Sequence, residues 1–96
     1  MENRVKILIA DGNEEFCEHL SRTLKERSVF DVTGVAHDGE TAVQLLERER
    51  PDVLVLDLML ARLDGLSVLR RAQELEKPPL ALVLSGYMTE YVSVRA

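Results

Sequence analysis

A single cysteine, Cys17, occurs in the 96 residues, so no internal disulfide is possible and a metal site built on paired thiolates is excluded. That usage fits a reducing compartment, and the chain is expected to be cytoplasmic. No apolar run approaches the roughly 20 residues that span a bilayer. The N-terminus has Glu2 and Arg4 around a short apolar stretch, not a basic start followed by a long one. Positive charge is in short supply: 12 Lys and Arg against 17 Asp and Glu leave a net charge of −5, which argues against non-specific binding to nucleic acid or to an anionic membrane. The five glycines form neither GxGxxG nor a P-loop, which weakens any nucleotide-binding reading. Internal repeats, low-complexity segments and linkers are absent. The length allows one domain, and a chain of that size buries roughly 60–70% of its unfolded surface.

What is present is a globular balance, 46% hydrophobic and 30% charged, organised as an alternation of apolar runs and amphipathic stretches. Val5-Lys6-Ile7-Leu8-Ile9-Ala10, the segment 30–36, Val53-Leu54-Val55-Leu56 and Leu80-Ala81-Leu82-Val83-Leu84 read as strands. Between them, Phe16, Cys17, Leu20 and Leu24 mark a first helix over 14–27 with Asn13 as its N-cap. After an Asp38-Gly39 turn, Ala42, Val43, Leu45 and Leu46 mark a second helix that stops near Pro51. Leu66, Val68, Leu69, Ala72 and Leu75 mark a third, with Asp64-Gly65 as a turn and helix-start signal. A short helix is expected from Thr89. Continuous apolar strands alternating with amphipathic helices predict an α/β fold, a doubly wound parallel sheet covered on both faces.

Three polar residues stand where strands should end: Asp11 after the first, Asp57 after the third and Ser85 after the fourth. Ligands and chemistry in open α/β sheets collect outside the carboxyl ends of the strands, so two carboxylates and a hydroxyl would share one crevice. Each has a plainer reading as well: a solvent-facing acid for Asp57, a helix cap for Asp11 and a turn former for Ser85. His19 lies off the Phe16-Leu20-Leu24 line and faces solvent, and His37 is given no special role. Arg48, Arg50, Arg70 and Arg71, interspersed with Glu, read as solvated helix surface.

The segments Ile9-Ala10-Asp11, Val53-Leu54-Val55-Leu56-Asp57-Leu58, Leu63-Asp64-Gly65 and Leu84-Ser85-Gly86 resemble the receiver domain of bacterial two-component response regulators, over nearly the whole chain. Gly34-Val35-Ala36-His37-Asp38-Gly39-Glu40 and Pro51-Asp52-Val53 also resemble the receiver of the sporulation master regulators. The resemblance implies a flavodoxin-like (CheY-like) sheet of strand order 2-1-3-4-5. It implies a phosphoryl group delivered to Asp57 by a histidine kinase or phosphotransfer protein, and it makes Ser85 the switch hydroxyl. Magnesium would be held by Asp11, Asp57 and the backbone carbonyl of Met59. The output of such modules is commonly transcription regulation. A carboxylate attacking a phosphorus centre meets charge repulsion, so a divalent cation and nearby donors are needed there.

The sequence also departs from that pattern. Gly12 stands where the family has the second acid of its metal pair, which puts the magnesium in doubt. Ala61 stands where a proline usually stiffens the loop after the phosphoacceptor. The sequence ends at Ala96, early in the expected fourth helix, so the domain is expected to span 1–96 and to lack the fifth strand and last helix. The phosphate-pairing lysine has no counterpart, and Lys77, before Pro78, falls at the opposite end of the sheet. Without a fifth strand, Leu80-Ala81-Leu82-Val83-Leu84 would be an open edge, which predicts self-association or segment exchange between protomers. A receiver, a switch and not an enzyme, is therefore the first expectation. A receiver-like interaction module that works by binding alone is the second. A small hydrolase is disfavoured because no His, Cys or Lys is placed beside Asp57.

Overall fold

The computed structural model describes residues 3–84 and 91–94. Its elements alternate as predicted: β1 (Val5–Ala10), α1 (Glu14–Lys25), β2 (Phe30–Ala36), α2 (Gly39–Glu49), β3 (Val53–Asp57), α3 (Gly65–Gln73), β4 (Leu80–Leu84) and then β5 (Tyr91–Val94). Each helix begins on a side-chain cap that satisfies an otherwise orphaned N–H. Asn13 accepts from Phe16 N at 2.9 Å, Asp38 from Thr41 N at 2.8 Å and Asp64 from Ser67 N at 2.8 Å. Asp38 and Gly39, expected as a turn, are thus the cap and first residue of α2. Helix α1 stops at Lys25, two residues short of the expected bound. Helix α2 is ended by Arg50, whose φ of 49° turns the chain left-handed just before Pro51.

The sheet order is β2-β1-β3-β4-β5. The first four strands pair in parallel through crossovers, the four-stranded 2-1-3-4 core of the expected CheY-like fold. The parallel fifth strand of that fold is missing among the described residues. In its place β5 pairs antiparallel with β4, Ala81 opposite Val94 and Leu84 opposite Tyr91. This corrects two expectations. Residues 91–94 form a strand and not the continuation of a helix, since Tyr and Val favour strands and a lone helix of that length is unstable in water. Leu80–Leu84 is not an open edge, because its unpaired backbone groups recruit the nearest strand in the same chain. The reason for self-association through β4 therefore falls away.

The alternation of side chains along β1 and β3 divides the core. Leu8, Ala10, Leu54 and Leu56 join Leu45, Leu46, Val68 and Ala72 on the α2 and α3 side. Ile7, Ile9 and Val55 join Cys17 on the α1 side. A shift in the β1 and β2 register skips Thr33, whose hydroxyl donates to Ile7 O at 3.3 Å. No helix among the described residues is long and apolar enough to cross a membrane. His19 is exposed, as expected.

Candidate functional site

Register sets the site. Ala10 lies opposite Leu56 across β1 and β3, so the residues that follow, Asp11 and Asp57, emerge side by side at the carboxyl end of the sheet. Each carboxylate is oriented by the backbone N–H two residues on: Asn13 N donates to Asp11 Oδ1 at 2.8 Å, and Met59 N to Asp57 Oδ1 at 3.0 Å. These are Asx-turns, which short acidic side chains form readily where a strand breaks off. In each case no donor among the described residues meets the second carboxylate oxygen. Asp57 is half-buried, whereas Asp11 is only 7% exposed.

Burial pushes the Asp11 carboxyl above the usual Asp range. The Asn13 N–H opposes that shift, the Asp57 charge adds to it, and His37 opposes it. The backbone of Asp11 is held on three sides. Its N–H donates to Ala36 O at 2.9 Å, and its carbonyl oxygen lies 3.0 Å from His37 Nδ1 and 3.3 Å from Cys17 Sγ. A carbonyl only accepts, so His37 Nδ1 carries the proton here and the Cys17 thiol donates. Burial, its largest cause, pushes that thiol up to about 11, which keeps it protonated. His37, given no role from sequence alone, thus belongs to the site's support. The signal was in the strand register: Ala36 pairs with Ala10, so the residue after β2 must meet the residue after β1.

Two close approaches bring the Asp57 loop into place. A Cβ on Gly65 would sit 2.4 Å from Leu58 Cα and 2.8 Å from Asp57 O, so only glycine lets α3 start against the end of β3. A Cβ on Gly39 would sit 1.9 Å from Leu63 O, so only glycine lets that loop lie against the start of α2. There Gly39 N donates to Ala61 O at 2.9 Å, and Asp38 and Ala61 form a parallel bridge. Ala61, which stands where the family usually has a proline, is braced here by backbone bonding. Arg62 takes a φ of 71° in the same loop, with a guanidinium nitrogen 3.9 Å from Glu40.

The other expected site residues are distributed unevenly. Ser85 lies outside the described residues, as does the segment 86–88, though Leu84 before it pairs with Asp57 and accepts from Leu58 N at 3.3 Å. Met59 directly follows the Asp57 turn, with its side chain 63% exposed. Lys77 sits between α3 and β4, near where Leu80 N bonds Asp52 O, at the far end of the sheet. Gly12 offers no ligand, and no cluster of three or more His, Cys, Asp or Glu able to hold a metal occurs among the described residues. Two carboxylates, each with one oxygen that meets no donor among the described residues, still suit magnesium, an ion that keeps several waters and takes one or two carboxylates. A separate cavity of about 740 Å³ lies between α1 and β2, lined by residues including Glu14, Cys17, Glu18, Arg22 and His37 but not Asp57.

Comparison with known proteins gives the family and the fold. Residues 7–96 match the response regulator receiver domain family. Among solved structures, the receiver domain of the putative response regulator NarL from Mycobacterium tuberculosis is 29% identical with a TM-score of 0.82, over 91% of this chain and 70% of that one. The REC domain of AraT from Geobacillus stearothermophilus is 33% identical with a TM-score of 0.79, over 86% of this chain and 65% of that one. The response regulator domain of CheB from Thermotoga maritima shares the fold at 23% identity and a TM-score of 0.79, over 85% of this chain and 60% of that one. The chain thus spans about 60–70% of the length of these domains. It belongs to the response regulator receiver domain family, a signalling module of two-component systems and not an enzyme family.

Proposed function

We propose that Asp57 accepts a phosphoryl group from a histidine of a sensor kinase or phosphotransfer protein, and that the resulting change in charge controls an output. One observation carries this reading: Asp11 and Asp57 emerge from neighbouring strands, each with one oxygen tied to the N–H two residues on and the other met by no donor among the described residues. That second oxygen of Asp57 is the nucleophile, and the Met59 N–H holds the carboxylate in one orientation for in-line attack. Asp11, Asp57 and the Met59 carbonyl are the groups that would hold magnesium. Bound there, the ion would neutralise charge on the phosphoryl oxygens. Ser85 would donate its hydroxyl to a phosphoryl oxygen. The resemblance of residues 34–40 and 51–53 to sporulation regulators favours transcription as the output. Residues 1–96 act as a receiver that departs from the family pattern at Gly12 and at its C-terminal side.

A second reading, a receiver-like module that acts by binding alone, is favoured by Gly12, which removes a carboxylate from the site. A small-molecule phosphodonor with magnesium, followed by intact-mass spectrometry, separates the two. Slow addition of a single phosphate, abolished in Asp57→Asn, is expected. No addition at any donor concentration would leave the binding-only reading standing.

A further inference from the structure

We propose that His37 is a positioning residue of the acidic crevice, acting through the backbone of Asp11. This rests on the phosphoacceptor reading above and names a residue that reading does not use. The segment 37–40 between β2 and α2 touches both halves of the site. At one end, His37 Nδ1 donates to Asp11 O at 3.0 Å. At the other, Gly39 N donates to Ala61 O at 2.9 Å, Leu63 lies against Gly39, and Glu40 faces Arg62 at 3.9 Å. One short turn therefore spans from the Asp11 loop to the loop that follows Asp57.

The Asp11 carboxylate has a single anchor among the described residues, the Asn13 N–H, so its position depends on how the 11–13 backbone is held. Three bonds hold Asp11 itself, to Ala36 O, Cys17 Sγ and His37 Nδ1. The thiol contact is a weak donor at 3.3 Å, which leaves the imidazole as the strong side-chain tie. Gly12 adds no side chain, and the nearest atom to a Cβ there would be His37 O at 3.7 Å. With the 11–13 turn this bare, the bond from His37 decides where the Asp11 oxygen points relative to Asp57. His37 is exposed, so burial of the ring does not set its geometry.

The test compares His37→Asn, His37→Gln and His37→Ala in the 96-residue chain. The Asn amide nitrogen falls where Nδ1 does, whereas that of Gln falls where Nε2 does. Magnesium affinity by titration calorimetry and amide exchange at Asn13 are read together. His37→Ala and His37→Gln should each weaken magnesium binding and Asn13 protection by about three- to tenfold, as the loss of one hydrogen bond implies. His37→Asn should restore both, while amides in β3 and α3 stay unchanged. Equal values for Asn and Ala, or an unmoved Asn13 amide in all three, would overturn the proposal. Should the wild-type chain bind no magnesium and take no phosphate, the functional reading fails, and Asn13 exchange still decides whether His37 sets Asp11.

Discussion

Replacing Gly12 with Asp asks whether the crevice is one carboxylate short of a tight magnesium site. The backbone at Gly12 lies outside the left-handed region, and an added Cβ would meet only His37 O at 3.7 Å, an ordinary van der Waals contact. The substitution is therefore free of steric strain, and by restricting the unfolded chain it stabilises by about 0.4–1 kcal/mol. A third carboxylate near Asp11 and Asp57 works the other way, with each like-charge pair costing roughly 1 kcal/mol at 4 Å in water and more where solvent is thin. The metal-free variant should end up about 1 kcal/mol less stable, a fall of about 4–8 °C in Tm for a domain this size. A divalent cation reverses that repulsion, so magnesium affinity should rise about ten- to hundredfold, or roughly 1.4–2.8 kcal/mol. Titration calorimetry reads the affinity directly, and melting with and without magnesium reads it through linkage. A folded variant whose magnesium affinity equals that of the wild type would refute the reasoning, since it would place residue 12 away from the shared crevice.

Gly65→Ala should destabilise by about 1–3 kcal/mol or more, because its methyl would overlap the Leu58 and Asp57 backbone; a urea midpoint within error of wild type would show that the approach relaxes at no cost. Asp11→Asn should raise stability near neutral pH without magnesium, since the amide oxygen can keep the Asn13 bond while the buried charge is removed. The sign follows from the raised carboxyl: its contribution is favourable below about 3.8, the ordinary value, and is lost as pH rises through the higher folded value. The advantage of the variant should accordingly shrink on acidification toward that range. Asp38 and Asp64, lowered by the Thr41 and Ser67 N–H groups, titrate in both proteins and cancel in the comparison. Melting curves across pH decide it, and a variant less stable at every pH would contradict the burial argument.

Much of this architecture could be read from local pattern. The spacing of Phe16, Leu20 and Leu24, the caps Asn13 and Asp64, and the uninterrupted apolar run before Asp57 each depend on a few neighbouring residues. Side-chain periodicity and capping are local physics, and from them followed a parallel sheet with Asp11 and Asp57 at the carboxyl ends of its strands, whereas the strand order 2-1-3-4 followed from the resemblance to the receiver family. The fate of residues 91–94 was not local. Tyr and Val favour a strand there, but four residues cannot hold one alone, and it was the unpaired edge of β4, remote in sequence from the segment's own pattern, that gave it a partner. The role of His37 was hidden for a related reason, because an exposed histidine after a strand gains meaning only when the β1 and β2 register places the Asp11 carbonyl beside it. The demand for glycine at positions 39 and 65 likewise comes from backbones that meet across space, Leu63 over α2 and Leu58 under α3. Composition and periodicity decide which elements form and which face is buried; the contacts between loops at the end of the sheet depend on register and close approach, which only the assembled fold decides.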